Sequence, residues 1–115
     1  MGKLKFKTVI IIIILICVLV IGAYYIGEQY REKAAIELYG DTITKYCFEY
    51  GIDANLVLAV IKAESNFDQT AVSNKGAIGL MQIMPQTAKY ISVKLNMQYS
   101  QINLFDYNTN LKCGI

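Results

Sequence analysis

Glu64 is the side chain whose type and setting point most directly to chemistry. It ends the run Ala54-Asn55-Leu56-Val57-Leu58-Ala59-Val60-Ile61-Lys62-Ala63-Glu64, where apolar residues at 56, 57, 60 and 61 mark one face of a 3.6-residue period. Position 64 falls next on that face. A carboxylate there is expected to be desolvated, which disfavours its charged form and raises its pKa. A carboxylic acid kept protonated near neutral pH is the proton donor that glycosidic-bond cleavage requires. The competing reading of Glu64, taken alone, is a helix-end acid that simply reaches water.

Neutral hydrogen-bonding groups and soft apolar groups follow the acid. Ser73 and Gln82 suit sugar hydroxyls and acetamido groups, and Met81 and Met84 suit the faces of sugar rings. Gly76 and Gly79 allow a tight turn or close approach to a ligand. Two of these residues have structural alternatives: Ser73 as a loop-capping hydroxyl and Met81 as core filling. The chain has no His and its three Cys are not clustered, so no metal site is expected. There is no phosphate loop, no dinucleotide fingerprint and no basic-aromatic patch, which argues against a nucleotide cofactor and against nucleic acid as a partner.

The elements that must position these residues are helical. Asp53 is expected to cap the helix that carries Glu64. Gly51 suits the left-handed stop of a preceding helix, itself capped by Asp41, with Ile43, Tyr46, Cys47 and Tyr50 on its inner stripe. Ahead of it, the charged stretch 28–33 and residues 34–39 read as a helical stalk that Gly40 breaks. Residues 65–79 are polar and Gly-rich and read as loop. Met84-Pro85 marks a fresh start, with a helix from Pro85 to about Leu95 whose inner face is Ala88, Ile91 and Leu95. Residues 96–105 form a polar connection, and Asp106 caps a last helix. No internal repeat and no strand pattern occurs, so the class is mostly α.

With 115 residues, the chain holds at most one small domain plus appendages. Its net charge of +2 is modest, but Lys3, Lys5 and Lys7 precede an uncharged run over 8–27. At about 1.5 Å per residue, roughly 20 residues cross a hydrocarbon core of about 30 Å. The basic end is expected to stay cytoplasmic, with Tyr24 and Tyr25 at the outer interface. A cleaved signal peptide is the alternative, but the apolar run exceeds the usual apolar region of about 7–15 residues, which favours an anchor. The expected division is a cytoplasmic basic tail (1–7), a transmembrane signal-anchor (8–27), a stalk (28–40) and an extracytoplasmic domain (41–115). Cys17 lies in the span; Cys47 and Cys113 are either a bridge or two free buried thiols.

Glu64-Ser65, the downstream Ser73 and the stretch Gly76-Ala77-Ile78-Gly79-Leu80-Met81-Gln82-Ile83-Met84-Pro85 together resemble the lytic transglycosylases of the soluble (SLT) type, which have a goose-type-lysozyme-like α fold. The resemblance runs from about Asp41 to the end. It implies a single-acid mechanism on peptidoglycan. Glu64 would protonate the oxygen linking N-acetylmuramic acid to N-acetylglucosamine, then act as base on the muramoyl 6-hydroxyl. That hydroxyl closes onto C1 and gives a 1,6-anhydro product, while the substrate's acetamido group stabilises the positive charge. By matching position, Ser73, Gln82 and Met84 would line the glycan groove, with no metal or cofactor. A cell membrane location follows, and a secretion or conjugation apparatus is one setting for such an anchored enzyme. Asn110-Leu111-Lys112-Cys113-Gly114 resembles the family's Asn-x-x-x-Gly element. The family then continues with further helices and an Ala-Tyr-Asn-Ala-Gly-like segment, so a domain ending at Ile115 is expected to be C-terminally incomplete. A lysozyme-type hydrolase and a catalytically weak glycan-binding module are the alternatives.

Overall fold

The computed structural model describes residues 2–99 and 102–115; Met1 of the expected basic tail, and Ser100 and Gln101 of the expected 96–105 connection, lie outside them. Among the described residues four α-helices follow one another: α1 (Gly2–Tyr50), α2 (Ala54–Ser65), α3 (Pro85–Lys94) and α4 (Tyr107–Gly114). Among the described residues there is no strand, only two isolated antiparallel bridges, Val72 with Ile78 and Ile78 with Ile83. The class is mostly α, as the sequence pattern implies.

The chain divides into two compact units between Ala34 and Ala35. In the first, α1 is apolar on every side from Val9 to Ile21, and residues from Val9 to Ile16 are all exposed. Its most apolar 18-residue window has a mean hydropathy of 3.2. By length and composition this helix is able to cross a membrane.

The second unit, Ala35–Ile115, has its own core. There α1 buries Ala35, Tyr39, Ile43, Tyr46 and Cys47, a stripe of three- and four-residue spacings. The stripe runs on both sides of Gly40, which therefore does not break the helix, and Asp41 is an internal residue instead of a cap. A glycine inside a helix costs about 1 kcal/mol, less than the roughly 1.5–3 kcal/mol from burying one large apolar side chain. Tyr50, expected on the stripe, is 44% exposed. Gly51 (φ 68°) then stops the helix in the left-handed region, and the Ile52 amide donates to the Cys47 carbonyl at 2.9 Å.

Two hydrophobic clusters divide this unit. The first joins the α1 stripe to Val57 and Ile61 of α2, Phe67, Leu80 and Leu111. The second gathers Ile83, Ala88, Leu104 and Cys113, with Ile91 and Leu95 packed against it. Cys47 and Cys113 are free buried thiols in different clusters, so the bridge alternative is not realised. Burial pushes both thiols up.

Candidate functional site

Asp53 caps α2 as its position implies, accepting the Asn55 amide at 2.9 Å. The buried face of α2 is set by Val57 and Ile61, while Leu56 is 58% exposed. That face is rotated from the one expected over 56, 57, 60 and 61. Glu64 consequently falls beside the buried stripe and is exposed, so the desolvation expected for its carboxylate is not present. Ser65 takes the inward position four residues after Ile61. Its hydroxyl donates to the Leu80 carbonyl (2.8 Å) and the Ile61 carbonyl (3.1 Å), tying the end of α2 to the loop that follows.

That loop covers residues 66–84 and contains most of the other sequence-selected residues. Asn66 (φ 49°) and Phe67 (φ 62°) turn the chain through two successive left-handed positions, and Phe67 is anchored in the first cluster. Ser73 closes a tight turn: its amide donates to the Ala77 carbonyl (2.9 Å), its carbonyl accepts the Gly76 amide (3.0 Å), and its hydroxyl accepts the Ala77 amide (3.0 Å). The hydroxyl thereby caps the loop from within. Gln82 is left-handed (φ 51°), and its side-chain amide donates to the Gly79 carbonyl (3.0 Å) and the Ala71 carbonyl (3.2 Å). Met84, 37% exposed, occupies the N-cap of α3 with Pro85 at the first helical position. Met81 packs against both clusters, as core filling does.

Asn110 holds this loop from a distance, a role that sequence reasoning missed. It is 0% exposed, and its side chain makes three hydrogen bonds. Its Oδ1 accepts the Met81 amide (2.9 Å), and its Nδ2 donates to the Ile78 and Leu104 carbonyls (2.8 Å each). Gly79, at φ 79°, leaves the space this amide occupies; a Cβ there would run into Asn110 and the Leu104 carbonyl. Gly114, one turn beyond Asn110, is pressed equally closely by Met81. The Asn-x-x-x-Gly spacing thus places an amide and a bare backbone on one face of α4, both against the loop. The available signal was an Asn beside Leu111 on a short apolar-faced helix.

Two tyrosines of α1 reach the same region. Tyr39 donates to Gln69 Oε1 (3.0 Å) and packs its ring 5.1 Å from that of Tyr107. Tyr46 donates to Asn108 Oδ1 (2.8 Å). Burial, with Asp68 and Tyr107 nearby, raises the Tyr39 pKa, so this phenol is a neutral donor. A cavity of about 240 Å³ borders the far side of this loop, lined by Ile78, Pro85, Tyr99 and residues 102–105. Among the described residues no carboxylate lines it, so Glu64 and the pinned loop, not this cavity, form the candidate site.

Several known proteins resemble part of this chain. The family model described as the transglycosylase SLT domain matches residues 41–115. The membrane-bound lytic murein transglycosylase C of Mannheimia succiniciproducens is 41% identical over 69 residues, covering 57% of this chain and 19% of that protein. Its namesake in Photorhabdus laumondii is 39% identical over 75 residues, covering 63% and 21%. The chain therefore spans about a fifth of the length of these curated relatives. Among solved structures, an inactive mutant of the lytic transglycosylase Slt from Pseudomonas aeruginosa has a TM-score of 0.61 at 31% identity, over 66% of this chain and 12% of its own. The 70 kDa soluble lytic transglycosylase from Escherichia coli has a TM-score of 0.59 at 31% identity, over 66% and 13%. The exposed acid, the bonded Ser65 and the loop held by Asn110 are those of a chain that belongs to the transglycosylase SLT domain family.

Proposed function

We propose that this chain is a membrane-anchored peptidoglycan lytic transglycosylase with Glu64 as its general acid and base. Residues 8–27 anchor it in the cytoplasmic membrane, and Lys3, Lys5 and Lys7 keep residues 1–7 inside. The helical stalk expected over 28–40 is shortened to 28–34, because Ala35 and Tyr39 are buried in the core of the second unit, and that unit works outside. Glu64 protonates the glycosidic oxygen between N-acetylmuramic acid and N-acetylglucosamine, and the resulting carboxylate then takes the proton of the muramoyl 6-hydroxyl as it closes onto C1. Ser73, Gln82 and Met84 line the glycan groove, the last by apolar contact with a sugar face. Because Glu64 is exposed, the glycan strand itself must exclude water from the carboxyl group when it binds.

The observation that carries this reading is the Ser65 bond to Leu80, which fixes the last turn of α2 to the loop one residue from Glu64. The transglycosylase names of the relatives support the reaction, and the membrane-bound relatives support the anchor. A secretion or conjugation apparatus is a setting in which local wall opening of this kind is needed. The exposure of Glu64 favours a second reading, a glycan-binding module with weak catalysis. Mass spectrometry of peptidoglycan digested with the full chain in detergent decides between them. Fragments ending in 1,6-anhydromuramoyl groups are expected. Reducing ends would make the chain a hydrolase, and retention on peptidoglycan without fragments would select the binding module.

A further inference from the structure

Charge is unevenly distributed over the SLT region. From Gln69 to Phe105 the chain carries Lys75, Lys89 and Lys94 and no Asp or Glu. All three lysines are exposed, and among the described residues none of them forms an ion pair. Lys94 lies over the Tyr90 ring at 5.4 Å, and Lys89 is on the same helix. Lys75 is placed differently, at the tip of the Ser73–Ala77 turn. Three hydrogen bonds of 2.9–3.0 Å close that turn, and Gly76 at φ 89° completes it. The turn is set further by the Val72 bridge to Ile78, which in turn bridges to Ile83. A lysine costs rotamer entropy when it binds, but here the backbone beneath it is already fixed, so part of the ordering is complete before a ligand arrives.

We propose that Lys75 makes the site selective for glycan strands that carry acidic peptides, by pairing its ammonium group with a peptide carboxylate beside the groove. The inference rests on the reading of Ser73 as a groove residue, because the turn that Ser73 closes presents Lys75. A lysine suits this pairing because its compact charge on a flexible stem meets a carboxylate that varies in position along a strand. Within the segment 69–105 the three lysines are not offset by any acid, and their charge steers anionic strands towards the loop. The pair is solvent-exposed, so its effect is modest and falls as salt rises.

The test compares peptide-bearing strands with the same strands stripped of peptide, using the full chain in detergent. Both retention and cleavage are measured, at about 0.02 M and about 0.2 M salt. The native chain is expected to favour peptide-bearing strands by about two- to fivefold, less at the higher salt. Lys75→Gln should bring the ratio close to one, Lys75→Glu should invert it, and Lys75→Arg should preserve it. A ratio of one in the native chain, or a ratio that survives Lys75→Gln and falls only when Lys89 and Lys94 are replaced, overturns the proposal. So does a Lys75→Gln defect that appears on anionic lipid vesicles and not on strands. If neither strand type is cleaved, the transglycosylase reading fails by itself, while the retention ratio still judges Lys75.

Discussion

Helix α2 and the loop over 66–84 serve one candidate site but are held by different forces. In α2, local rules suffice: Asp53 caps its start, Asn66 ends it in the left-handed region, and Val57 and Ile61 bury its inner face. Glu64 adds nothing visible to that stability, since it is exposed. The loop has no ladder of its own beyond isolated bridges at Ile78. Ordering it costs about 1–2 kcal/mol per residue in backbone entropy, and left-handed Phe67 and Gln82 add strain. Side chains offset this from several directions: Ser65 from the helix, Asn110 from α4, and Ser73 and Gln82 from within. The contrast separates architecture from chemistry. The loop's pins are bonded into the structure, and the acid on the regular helix is exposed.

The largest test of this contrast is Asn110→Ala. It takes the partner from the Met81 amide and the Leu104 carbonyl, while the Ile78 carbonyl keeps the Ile83 amide, and this should cost about 3–5 kcal/mol. For a domain of this size, each 1 kcal/mol lowers Tm by roughly 4–8 °C, so thermal unfolding should start at least about 12 °C earlier. Asp53→Ala is the smaller counterpart. It removes one cap from α2, should cost about 1 kcal/mol, and should lower Tm by roughly 4–8 °C. If the two variants melt together, remote pinning of the loop is not its main support and the comparison breaks.

The same division explains what the sequence made legible. Asp53, Gly51, Pro85 and Asp106 act through neighbours one to four residues away, and each stands where its residue type implies. Gly40 misled because its local cost is overridden by a stripe that continues on either side of it, from Ala35 to Cys47. The orientation of α2 misled more usefully. Leu56, Val57, Val60 and Ile61 are compatible with two adjacent faces, and only packing against Tyr39, Ile43 and Leu80 selects the one that leaves Glu64 outside. Asn110 was invisible as a pin because its partners, Ile78 and Met81, are 32 and 29 residues earlier. Periodicity does not report contacts of that range. The family resemblance named the Asn-x-x-x-Gly element, and the packing of Gly79 and Gly114 supplies its physical reason.

The central claim is that Glu64 carries chemistry and no architecture. Its most direct test measures Tm and solubilisation of peptidoglycan together for the native chain and Glu64→Gln. The predicted result is an unchanged Tm, continued retention on peptidoglycan, and release of glycan fragments reduced at least about a hundredfold, the scale of a lost general acid. Fragment release by Glu64→Gln at the native rate would contradict it.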